Sequence, residues 1–158
     1  LKGHIAVASF KLKTNTSGSE IDNNARKHLT KIGLDYAHGT GHGVGYFLNV
    51  HEGPHAISKN NKVKFKEGMV VSNEPGYYEK NKFGIRIENL IYVKKNKQKN
   101  YFENLTMAPI DKELIDEKLL DEDEKKWINL YHKKVFKNIK PFMSKNEVIE
   151  LKKACSVI

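Results

Sequence analysis

HGTGHGVGYFLNVHEGP, residues 38–54, packs three histidines, one glutamate and five glycines into a short span. The spacing His38-x-x-x-His42 would suit two metal ligands on one helix face. The glycines oppose a helix. Gly39, Gly41, Gly43 and Gly45 occupy alternate positions, and each costs a helix about 1 kcal/mol relative to Ala. The stretch therefore reads as strand or loop, where glycine lets other groups approach the main chain. Residues an even number apart share a face of an extended segment, so His38 and His42 are still expected to point the same way.

Upstream, LKGHIAVASF (residues 1–10) has the pattern of an apolar-faced helix. SGSEIDNNARKHLTKIG (17–33) predicts a capped helix, with Ser17 or Ser19 as N-cap and Glu20 and Asp22 in the first turn. Ile21, Ala25, Leu29 and Ile32 form its apolar face, and Gly33 its stop. His28 lies beside that face and reads as structural. Downstream, Met69 to Ser72 reads as a strand and Asn81 to Gly84 as a hairpin connection. GIRIENLIYV (84–93) predicts one strand, with Arg86 and Glu88 on the same face. A glutamate among β-branched neighbours needs a partner if it is buried. FENLTMAPID (102–111) reads as a last strand running into a loop.

Beyond that loop the pattern turns helical. Asp121 with Glu124 opens one helix, in which Trp127, Leu130, Tyr131 and Val135 line one side and Pro141 marks the end. Ser144 with Glu147 opens another. No low-complexity linker divides the chain. The expected organisation is residues 1–110 as one domain and 111–158 as a helical extension packed on it.

The chain has 158 residues and a net charge of +9, enough length for one domain with a core. Its lysines are scattered among asparagines, as in KNNKVKFK and KKNKQKN, which argues for a solvated surface and against a nucleic-acid partner. No apolar run is long enough to cross a bilayer. Cys155 stands alone, excluding an internal disulfide framework or a cysteine-built zinc site and agreeing with a reducing, cytoplasmic setting. The first residue is Leu rather than Met, and the expectation is a piece of a longer polypeptide.

Three groups on extended segments stand out: His42, Glu74 in NEPGYY and Glu88 in RIEN. One imidazole and two carboxylates make a hard, oxygen-rich donor set, better matched to Mn²⁺ or Zn²⁺ than to copper. An ordinary structural account is open to each: His42 hydrogen-bonded in the core, Glu88 paired with Arg86 or a lysine, and Glu74 solvated at a turn.

The wording of the motifs adds to the residue types. HGTGHGVGYFLNVHEGP, EGMVVSNEPGYYE and FGIRIENL, in this order, closely resemble the signature of Xaa-Pro aminopeptidases of the pita-bread metallopeptidase superfamily. LKGHIAVASF and GLDYAHGTGHGVG resemble its preceding segments, and TMAPID with LLDEDEKKWINLYH resembles the C-terminal extension of its eukaryotic cytosolic-type members. The resemblance covers nearly the whole chain. It implies an α+β fold: the C-terminal portion of a pita-bread fold with a helical extension.

The same resemblance implies roles. His42, Glu74 and Glu88 match metal ligands, with Glu88 bridging a pair of divalent ions, Mn²⁺ first and Zn²⁺ or Co²⁺ as alternatives. Glu74 matches the residue that takes the proton of the attacking water. His38 and His51 match residues that hydrogen-bond the peptide or move protons, Arg86 one that steadies the carboxylates, and Tyr78 part of the site wall. His4 and His55 match no catalytic role and are expected to be structural or exposed. The implied activity is release of an N-terminal amino acid that precedes proline, by an enzyme commonly dimeric.

Two further aspartate ligands of the family lie upstream of the segment that begins at Leu1, and Asp22 and Asp35 match other positions. Residues 1–158 alone are thus expected to bind metal weakly and to be inactive until the N-terminal part of the same polypeptide completes the site. A non-catalytic pita-bread binding module, and another peptidase of the superfamily such as a prolidase or methionine aminopeptidase, are the rival readings.

Overall fold

The computed structural model describes residues 1–158 except Leu48 and Gln98, so Leu48 of the glycine-histidine stretch and Gln98 of KKNKQKN lie outside the described residues. The chain divides into two compact units, Leu1–Thr106 and Met107–Ile158.

The first unit starts with α1 (Lys2–Ala8) and α2 (Gly18–Thr30). The expected cap forms at Ser17: its backbone N–H donates to the Glu20 carboxylate at 2.6 Å, completing a capping box. Gly33 takes φ of +75° just beyond the helix, a conformation that costs glycine nothing. The predicted apolar face holds at Ile21 and Ala25, both buried, but not at Ile32, which is 68 % exposed. Ile32 falls after the last helical residue, so helical periodicity no longer governs where it points.

The strands are short. β1 (Gly41–His42) pairs antiparallel with β2 (Ala56–Ile57). β3 (Val70–Asn73) pairs with β6 (Asn89–Asn96), which pairs with β7 (Lys99–Asn104), all antiparallel. β4 (Gly76–Glu79) and β5 (Phe83–Arg86) form a hairpin across the expected turn. The single strand expected over 84–93 is thus two: β5 and β6 belong to different sheets, and Ile87 and Glu88 lie between them. Ile85, Ile87 and, beyond Asn89, Ile91 keep one alternating face through the interruption, so the sequence pattern could not show it. A core of Val7, Ile21, Ile57, Val71, Ile91 and Val93 joins α1, α2 and the β3–β6–β7 sheet.

In the second unit, α3 (Glu122–Ile139) and α4 (Lys145–Ala154) each open with the expected capping box, Asp121 with Glu124 and Ser144 with Glu147. Tyr131, Val135 and Leu151 form their core, with Trp127 stacked on Tyr131 at 5.3 Å between ring centroids. Ile128 and His132 are also fully buried, while Leu130, expected on this face, is exposed. Pro141 sits in a 3₁₀ turn (Lys140–Phe142) that ends α3.

Candidate metal centre

Three short segments bring the expected ligands together. β1 carries His42, Glu74 follows β3 directly, and Glu88 precedes β6 directly. Because Asn73 and Asn89 are register partners, Glu74 and Glu88 leave the β3–β6 ladder at the same end. β1 is held against β3, with Gly43 bridged to Val71. That approach needs glycine: a methyl group on Gly41 would overlap the Ser72 carbonyl oxygen. One ligand atom each from His42, Glu74 and Glu88 lie within 4.8 Å of one another.

The His42 ring is oriented for coordination. Its Nδ1–H donates to the Gly43 carbonyl at 3.1 Å, which leaves the Nε2 lone pair facing the Glu74 carboxylate, 3.3 Å from Oε1. Ser72 works on both candidate ligands. Its hydroxyl donates to Glu74 Oε1 at 2.9 Å and accepts the His42 backbone N–H at 2.9 Å. The Glu74 backbone N–H donates to the Thr40 carbonyl at 2.8 Å. An imidazole nitrogen with two carboxylates, already oriented by hydrogen bonds, fits a hard divalent cation such as Mn²⁺.

Arg86 lies against both carboxylates, with Nε 3.4 Å from Glu88 Oε2 and 3.8 Å from Glu74 Oε2. Its pKa is raised by the Tyr78 hydroxyl first and by Glu88 and Glu74 after it. It reaches Glu88 although the two do not share a strand. Tyr78 also donates to His38 Nε2 at 2.7 Å, while His38 Nδ1–H donates to the Gly39 carbonyl at 2.7 Å. His38 therefore faces Tyr78 rather than Glu74. Only Gly41 and His42 are strand here, and the face-sharing rule does not extend back to residue 38. His51 lies beside His42, with 4.2 Å between ring centroids. His55 is buried and donates through Nε2–H to the Val70 carbonyl at 2.7 Å, a structural role.

A buried network behind the site carries residues that the sequence did not single out. Arg26 on α2 donates to Asp22 at 2.8 Å, to Asp35 and the Tyr36 carbonyl at 2.7 Å, and to the His38 carbonyl at 2.6 Å. Burial alone would lower its pKa, but the bonds to Asp22 and Asp35 outweigh that and raise it. The Thr40 hydroxyl donates to Asp22 at 2.6 Å. Arg26 and Thr40 thus tie the loop bearing His38 to α2. The i, i+4 spacing of Asp22 and Arg26 was a visible hint of a pair; nothing in it showed that the pair is buried.

The sequence model of metallopeptidase family M24 matches residues 1–95, and that of the C-terminal region of peptidase M24 matches residues 100–158. A probable Xaa-Pro aminopeptidase P of Coprinopsis cinerea is 49 % identical over 158 residues, covering 93 % of this chain and 25 % of that protein. Another from Laccaria bicolor is 49 % identical over 154 residues, covering 90 % and 24 %. The chain spans about a quarter of the length of these curated relatives. Among solved structures, an X-prolyl aminopeptidase from Caenorhabditis elegans, described as a cytosolic enzyme with a di-nuclear active site, superposes with a TM-score of 0.92 at 40 % identity, over 99 % of this chain and 27 % of that one. A prolidase from Pyrococcus furiosus reaches a TM-score of 0.60 at 31 % identity, over 68 % and 30 %. The expected α+β class and the likeness to part of a pita-bread fold are borne out by these neighbours. A family match along residues 1–95, over the strands and helices that gather His42, Glu74 and Glu88, means that the chain belongs to metallopeptidase family M24.

Proposed function

We propose that residues 1–106 carry part of the active site of an Xaa-Pro aminopeptidase, with His42, Glu74 and Glu88 as ligands to a pair of divalent cations, Mn²⁺ in the first place. The observation that carries this reading is the convergence of those three side chains, from segments far apart in sequence, within 4.8 Å. Relatives that match along both units support an aminopeptidase of the kind found in C. elegans, since the prolidase match spans 68 % of the chain. A cytosolic location agrees with the description of that relative. Among the described residues no helix is long and apolar enough to cross a membrane. Residues 111–158 are assigned as a helical extension. Further polypeptide, supplying the remaining ligands and the rest of the fold, completes the centre, and the assembled enzyme is a homodimer.

When bound, the cations supply Lewis acidity toward a peptide carbonyl and toward water. The chain's own residues then divide the proton traffic. The Glu74 carboxylate, oriented by Ser72, takes the proton of the attacking water and delivers it to the departing proline nitrogen. That nitrogen belongs to a tertiary amide and carries no proton of its own, so it cannot leave without one. Arg86, close to both carboxylates, keeps them fixed in direction. Tyr78 and His38, joined by a hydrogen bond at 2.7 Å, form a proton relay beside the peptide. His51, whose ring lies 4.2 Å from that of His42, holds a second proton position.

The test is turnover of a peptide with proline second by the complete polypeptide and by its Glu74→Gln and Glu88→Gln variants. Each variant is expected to lose activity on the order of 10³-fold or more, about 4 kcal/mol of transition-state stabilisation, with circular dichroism unchanged. Turnover at the wild-type level in both ends the proposal.

A further inference from the structure

His4 was expected to be structural or exposed. It is fully buried, and it is bonded on both sides to the backbone segments that present the two glutamates. Its ring Nδ1–H donates to the Ile87 carbonyl at 3.2 Å, one residue before Glu88. Its own carbonyl accepts the Asn73 side-chain amide at 3.0 Å, one residue before Glu74. Asn73 is itself fully buried and pairs in register with Asn89, the residue after Glu88.

Ile87 and Glu88 belong to neither β5 nor β6. Strand pairing therefore does not set the direction of this peptide, and a ring nitrogen from α1 grips it instead. Glu74 is similarly one residue beyond the end of β3, with Asn73 fastening that end to α1. Glu88 itself is exposed, so the order of its backbone rests on what holds the residue before it.

We propose that His4 is a positioning residue for the metal centre: with Asn73 it clamps the two glutamate-bearing chain ends to α1 and sets the separation of their carboxylates. This rests on the metal-site reading above. The chemistry requires an N–H at the position of Nδ1, donated to a backbone carbonyl. A buried apolar ring of the same size would fill the space and still lose the clamp. An asparagine, whose amide nitrogen can occupy the place of Nδ1, would keep it.

The experiment uses the complete polypeptide and Mn²⁺ alone as probe, with affinity from calorimetry and kcat and KM on a peptide with proline second. His4→Phe is expected to weaken Mn²⁺ binding about 10–100-fold, the usual consequence of removing a group that orients metal ligands. It should lower kcat while KM stays within about twofold. His4→Asn should recover most of the affinity. Wild-type Mn²⁺ affinity and kcat in a folded His4→Phe, even with a lowered melting temperature, would reduce His4 to a core residue and overturn the proposal. Equal losses in His4→Asn and His4→Phe would overturn it as well. Should His4→Phe fail to fold, Asn73→Ala carries the test, and unchanged Mn²⁺ affinity there is again fatal. Glu88→Gln separates the two levels of argument. Undiminished Mn²⁺ binding in that variant defeats the metal-site reading, and the clamp with it, whereas loss in Glu88→Gln beside no loss in His4→Phe defeats the clamp alone.

Discussion

Among the described residues of 41–88 lie five strands of two to four residues each, in three different sheets, while α3 alone runs for 18 residues from a single capping box. The site-bearing region is thus assembled from pieces too short to be stable by local pairing. Buried polar bonds reaching across the sequence supplement its apolar core: His4 to Ile87, Asn73 to His4, Arg26 to His38. The helical unit instead starts each helix on a box three residues wide and packs one apolar stripe. Such a contrast suits a centre where ligands from separate segments must be placed within tenths of an ångström: many directional bonds hold it, and few of them are replaceable.

The comparison can be broken most severely at Arg26. Replacing it with Leu strands Asp22 as a buried charge and frees the carbonyl of His38. Loss of one partner from a buried pair costs about 3–5 kcal/mol. Chemical denaturation is expected to show that loss, and a cost under about 1 kcal/mol would mean that the network is dispensable.

Acidification probes both regions next. Burial lowers the pKa of His4 from 6.5 to about 4. Burial, and after it Lys112, also lowers that of His132 in the helical unit. Each folded state binds its proton more weakly than the unfolded chain does. Their contribution is therefore fully present above about pH 6.5 and is lost as pH falls, for His4 toward about 4. For His4 the total is on the order of 3 kcal/mol. Melting temperature measured from pH 7.5 to 4 should fall, and His4→Asn should flatten the profile. A wild-type profile that stays level across this range would contradict the burial.

The smallest effect belongs to the helical unit. Asp121→Ala removes an N-cap whose carboxylate accepts the Glu124 N–H at 2.9 Å and should cost about 1 kcal/mol, leaving Mn²⁺ affinity unchanged. A change in metal affinity with that substitution would mean that the two units are energetically coupled.

What could be read in advance follows the same divide. The capping boxes at Ser17, Asp121 and Ser144 were legible because cap and partner lie three residues apart. The helix faces were legible in part: Ile21 and Val135 are buried as expected, but Ile32 and Leu130 are not. The candidate ligands were legible through residue type and motif wording. Ser72, Thr40 and Arg26 were not, because a hydroxyl or a guanidinium acquires its role only from what the fold places opposite it.

The amino-acid order by itself determined where the helices begin, that residues 38–45 could not be helical, and which three side chains had the chemistry of a hard metal site. Tertiary structure decided that the run through residue 88 breaks into two strands, that His38 faces Tyr78, and that His4 grips the peptide before Glu88. The reason is range. Caps, glycine costs and donor chemistry act within a few residues, whereas a strand break or a buried clamp depends on partners up to 83 positions away, and the local pattern carries no record of them.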